Sequence, residues 1–69
     1  MIILVFESTY FIMKAEKGLK QTRIIYNIIP TPRDISSDCG VAIKVAAGLE
    51  ERVIEVLGKA NVEFTIRRV

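Results

Sequence analysis

Three observations predict an α+β fold. Four runs are apolar or alternating over strand-like lengths. Two longer segments repeat their apolar residues every three to four positions. Their order along the chain is strand, helix, strand, strand, helix, strand. That order is the ferredoxin-like split βαβ plan. It places both helices on one face of a four-stranded antiparallel sheet, in the order 4-1-3-2, with right-handed βαβ crossovers.

Ile2 to Phe6 is a continuous apolar run rich in β-branched residues and predicts a buried strand. Ser8 or Thr9 suits a helix start, because either hydroxyl accepts hydrogen bonds from the first free N–H groups. The spacing predicts a helix from there to about Leu19 or Lys20, with Ile12, Ala15 and Leu19 on one face. Gly18 weakens that helix near its end. Arg23 to Ile29 alternates and predicts a second strand, ended by Pro30. Val41 to Val45 predicts a third, with Val41, Ile43 and Val45 facing one way and Ala42 and Lys44 the other. Ala46-Ala47-Gly48 breaks the pattern. A second helix is predicted over about Leu49 to Lys59, with Leu49, Val53, Val56 and Ala60 as its apolar stripe. Glu50 and Glu51 at its start and Lys59 at its end suit the helix dipole. Asn61 is a stop signal, and Val62 to Ile66 predicts the fourth strand.

The chain has 69 residues, enough for one domain over 1–69. Its 51% apolar and 26% charged content is that of a globular chain. No apolar run reaches the ~18 residues of a membrane span, and MIILVFES lacks the marks of a signal peptide. A single cysteine forms no internal disulfide, so the expected compartment is cytoplasmic. A net charge of +2 gives no reason to expect nucleic acid. With no histidine there is no His-based triad, and one Cys makes no ordinary zinc site, so neither metal nor cofactor is expected. The third strand lacks the aromatics with which RNA-recognition modules stack bases.

Pro30 to Ala42, PTPRDISSDCGVA, is a long connection by the standard of small domains, and such loops often carry function. It holds both prolines and the only cysteine. Ile35 is its only large apolar residue between Pro32 and Val41. Gly40 permits close backbone approach or a positive φ beside Cys39. The fold plan brings Phe6, Ser8, Thr9 and Cys39 to one edge of the sheet. Two readings of the thiol stand side by side. Cys39 is a reactive thiolate, favoured by the nearby helix N-terminus and Arg33 and opposed by Asp38. Ser36 and Ser37 are then available to hydrogen-bond its sulfur. Otherwise Cys39 is an inert filler under the loop. Ser8 and Thr9 read first as caps, Asp34 and Asp38 as turn formers, and Lys14, Lys17 and Lys20 as a solvated basic stripe.

The residues Pro30-x-Pro32-Arg33-x-Ile35-Ser36-Ser37-x-Cys39-Gly40-x-Ala42 resemble the motif of a family of small bacterial selenium/sulfur carrier-like proteins. Phe6-x-Ser8-Thr9 and Ala15-Glu16-Lys17-x-Leu19 extend the resemblance over nearly the whole chain. It implies a non-catalytic carrier that holds sulfur or selenium on Cys39 as a persulfide or selenosulfide. Arg33, Ser36, Ser37, Gly40, Ser8 and Thr9 would support that thiol. It also implies a donor such as a cysteine desulfurase and an acceptor enzyme, because one cysteine cannot release its cargo by closing an internal disulfide. From the residues alone, a regulatory or interaction module with a structural cysteine stays open, as does a small-molecule binding module. One more expectation concerns the sheet face away from the helices. Ile3, Val5, Ile25 and Ile29 are expected there, with Asn27, Lys44, Glu63, Thr65 and Arg67 around them. Such a patch predicts a homodimer through that face.

Overall fold

The computed structural model describes residues 1–35 and 40–69. The described residues form β1 (Ile2–Val5), α1 (Thr9–Gln21), β2 (Asn27–Pro30), β3 (Val41–Val45), a single 3₁₀ turn (Ala47–Leu49), α2 (Glu50–Lys59) and β4 (Thr65–Arg68). The sheet order is β2-β3-β1-β4, and every neighbouring pair is antiparallel. This is the expected ferredoxin-like α+β architecture. Ile2 sits opposite Val45 on one side and Arg68 on the other, and Ile28 sits opposite Ile43.

One face of the sheet carries the main core. Ile2, Leu4, Phe6, Ile43 and Val45 meet Ile12, Ala15 and Leu19 of α1 and Val53 and Leu57 of α2. Leu57 replaces part of the expected α2 stripe: it is fully buried, whereas Leu49, Val56 and Ala60 are only partly so. The reason is that α2 begins at Glu50, after the 3₁₀ turn, so Val53 and Leu57 face the core four residues apart.

Both helices end by the same device. After α1, Arg23 N–H donates to the Lys20 carbonyl at 3.2 Å and Ile24 N–H to the Leu19 carbonyl at 3.0 Å. After α2, Asn61 N–H donates to Gly58 at 3.2 Å and Val62 N–H to Leu57 at 3.1 Å. These are Schellman motifs, with Arg23 at φ 59° and Asn61 at φ 57° in the left-handed region. Ile24 and Val62, the residues that follow, are buried in the core. The motif explains two corrections. The second strand starts at Asn27 rather than Arg23, and the fourth at Thr65 rather than Val62. The residues just after each helix spend their N–H groups on its last carbonyls instead of on a neighbouring strand.

Tyr26 lies in the connection between α1 and β2, and its hydroxyl donates to Glu16 Oε1 of α1 at 3.0 Å. Burial first, then this bond and the charge of Glu16, raise the phenol pKa above its ordinary 10.0. The fold therefore favours the neutral phenol. Its contribution is complete below the ordinary value and is lost as pH rises past it through the raised folded value. Urea midpoints followed from about pH 8 to about pH 11 should fall more steeply for wild type than for Tyr26→Phe. Parallel curves would show that Tyr26 carries no such linkage.

Candidate functional site

β1 and β2 both run antiparallel to β3, so they run parallel to each other. The end of β1, the start of α1, the end of β2 and the start of β3 therefore share one edge of the sheet. This is the edge expected to gather Phe6, Ser8, Thr9 and the cysteine loop. Phe6 is fully buried there, its ring 6.3 Å from that of Phe64. Ser36, Ser37, Asp38 and Cys39 lie outside the described residues.

Pro30 does not end the second strand but belongs to it, paired with Val41. β2 is an edge strand, and Thr31 N–H donates to the Gly40 carbonyl at 3.1 Å. Alternation then turns the Pro30 nitrogen outward, where no hydrogen bond is required. The Thr31–Gly40 bond also closes the neck of the loop. Beyond it, Ile35 N–H donates to the Pro32 carbonyl at 3.0 Å, a tight turn with Arg33 and Asp34 at its centre. Arg33 is exposed.

The turn is fastened to the sheet face opposite the helices. Ile35 and Ile29 pack against a second cluster, Ile3, Val5 and Ala42. Asp34 pairs with Arg67 Nη1 of β4 at 2.5 Å. The apolar patch expected to be open is therefore covered: Ile3 is 8% exposed and Val5 5%. The homodimer expected through this face loses the exposed patch that motivated it. Ile25 is 83% exposed but lies before β2, outside the sheet. The fastening residues Asp34, Ile35 and Arg67 are absent from the expected site. The sequence does offer one signal for them, the isolated Ile35 in an otherwise polar loop.

Two expected roles change. Ser8 occupies the N-cap position of α1 with extended backbone, yet its side chain makes no cap hydrogen bond, and Thr9 is the exposed first residue of the helix. The first turn of α1 thus contains no acidic residue and no side-chain cap, which leaves the positive end of its dipole uncompensated by them. Gly40 does not have a positive φ, and a Cβ built on it meets nothing within 4 Å. It is used neither for left-handed backbone nor for close packing against the described residues.

Ile35→Ala tests the fastening. Removing a half-buried aliphatic side chain is expected to cost about 1 kcal/mol, and breaking the exposed Asp34–Arg67 pair less. Tryptic cleavage after the exposed Arg33 should quicken in Ile35→Ala, because cleavage there needs local opening. An unchanged cleavage rate would mean that Ile35 does not hold the turn down.

A groove of about 490 Å³ runs between the helices, lined by Gly18, Thr22, Arg52 and Val56 among others. It begins at the end of α1 remote from the loop edge. Among the described residues no three His, Cys, Asp or Glu side chains form a metal-binding group, and no helix is long and apolar enough to cross a membrane.

Residues 1–66 match the model of the family described as "Putative Se/S carrier protein-like". The chain belongs to that family. No curated protein and no solved structure gives a significant match.

Proposed function

We propose that this protein is a carrier of sulfur or selenium, with Cys39 as the carrying atom's anchor and no catalytic turnover of its own. The observation that carries the reading is the family match across residues 1–66, a span that contains the only thiol of the chain. The geometry of the described residues supports it. The uncapped start of α1 lies at the edge where β2 ends and β3 begins, and exposed Arg33 sits in the turn leading toward Cys39. Positive potential from both favours a thiolate over a thiol, against the opposing charge of Asp38 next to it in sequence.

The transfer needs no net oxidant. The Cys39 thiolate attacks the outer sulfur of a donor persulfide, the donor's S–S bond breaks, and the donor leaves as its own thiolate. Cys39 now holds the persulfide. An acceptor nucleophile then attacks that outer sulfur, and Cys39 returns as thiolate. Selenium follows the same course, with a selenosulfide in place of the persulfide. Donor and acceptor are separate proteins, for which a cysteine desulfurase and a sulfur- or selenium-using enzyme are the fitting classes.

The test is intact-protein mass after incubation with a cysteine desulfurase and free cysteine. Wild type should gain one sulfur atom, reversibly by thiol reductant, and Cys39→Ser should gain none. Alkylation of Cys39 against pH should show a midpoint below the free thiol value of about 8.5. An unmodified wild type under conditions that load a known carrier would overturn the proposal. The protein would then be read as an interaction module with a structural cysteine.

A further inference from the structure

The solvent face of α1 is basic with an exposed apolar pair at its start. At 100° per residue, Tyr10, Met13, Lys14, Lys17, Lys20 and Gln21 fall within one third of the helix circumference, opposite Ile12, Ala15 and Leu19. Tyr10 and Met13 are each 63% exposed. Lys14 Nζ lies 5.3 Å from the centre of the Tyr10 ring, and Phe11 meets the same ring edge-on. No acidic residue shares the face. The one acid of α1, Glu16, lies on its flank and accepts the Tyr26 hydroxyl. Among the described residues none of the three lysines is in an ion pair. By contrast, α2 carries Glu50, Glu51 and Glu55, and pairs its exposed Lys59 with Glu55.

We propose that this face of α1 docks an acidic patch on the enzyme that exchanges sulfur or selenium with the protein, an inference that rests on the carrier reading. Charge complementarity selects the occupant: three lysines around an exposed Tyr–Met pair fit carboxylates around an apolar centre, and Tyr and Met are favoured at protein interfaces. Three cations are few for a nucleic acid, and the apolar side of α1 is spent on the core rather than free to enter a bilayer. The face begins at Tyr10, beside the edge to which the cysteine loop returns. A partner seated on it therefore approaches the end of the sheet where β2 ends and β3 begins from the helix side, with the Ile35 turn on the opposite sheet face. One helix of about 20 Å presents far less than the ~800 Å² per partner of a stable complex. The contact is accordingly transient and weakened by salt, as a hand-off requires.

The experiment measures binding of the full chain to a cysteine desulfurase by biolayer interferometry at low and high salt. Lys14→Glu/Lys17→Glu and Tyr10→Ala/Met13→Ala should each weaken binding at least tenfold, with unchanged thermal melts. Lys59→Glu on α2 should leave it unchanged. Equal binding by wild type and the α1 variants, or no binding by wild type, overturns the proposal. So does preferential binding to a single-stranded RNA 12-mer or to vesicles containing phosphatidylserine. Loading of Cys39 from inorganic polysulfide, which needs no docking, is measured in parallel. Loading without a docking effect retains the carrier and removes the interface. Docking without loading retains the interface and removes the carrier.

Discussion

Phe6→Ala is expected to remove more than half of the protein's stability. Phe6 is fully buried at the end of β1, where it touches the main core and faces the ring of Phe64. Truncating a buried Phe costs about 3–5 kcal/mol in lost transfer energy and residual cavity. At ~0.05–0.15 kcal/mol per residue, a chain of 69 residues has only about 3–10 kcal/mol to lose. With a single cysteine, the chain has no internal disulfide to offset such a loss. Urea unfolding followed by circular dichroism should show the midpoint falling by more than half. Phe64→Leu, at a half-buried position, should shift it much less. A Phe6→Ala midpoint within a tenth of wild type would mean that the β1 end repacks freely and that the core is not assembled as described.

Gly18→Leu is the second large effect, and it acts through the contact between α1 and α2. A Cβ built on Gly18 would stand 3.2 Å from Val56 Cγ1. Gly18→Ala therefore sets a helix-propensity gain of about 1 kcal/mol against a small displacement of Val56, and the two nearly cancel. Leucine cannot be placed by so small a shift. It must spread the helices or leave its preferred rotamers, at a cost of about 1–3 kcal/mol. Val56→Ala should recover much of that loss, because it removes the obstructing methyl group. The double mutant is thus expected to be more stable than the sum of the singles implies. Additive losses would place the strain elsewhere.

The glycine illustrates what a sequence conceals. Read alone, Gly18 is a weak point in a helix. In the fold it lets two helices approach. Periodicity was enough to find α1, β3 and the order of the sheet, because their apolar residues repeat over several turns or pleats. It misplaced the starts of β2 and β4, because Arg23 and Asn61 reverse the chain by left-handed backbone that no glycine announced. Pro30 looked like a terminator because its ring forbids a ladder bond, but only on the inward side of a strand. The sheet face away from the helices looked open because its cover among the described residues, Ile35, is brought back by a turn with no periodicity of its own. Of the candidate site, the shared edge was legible from topology. The Asp34–Arg67 fastening was not, since charges distant in sequence leave no pattern.

The position of β1 has a consequence for how the chain assembles. β1 comes first, lies in the interior of the sheet, and is flanked by the last two strands of the chain, β3 and β4. The hairpin of β2 and β3 is local, but every ladder bond of β1 closes a long stretch of chain. Such non-local pairing slows folding relative to helix formation and local hairpins. Until it is complete, the most apolar segment of the protein, Ile2 to Phe6, has no partner strand on either side. A short, uncharged, β-branched segment in that state is prone to pair with a copy of itself. The interior strand that organises the finished sheet is thus the segment most exposed to aggregation before the sheet exists.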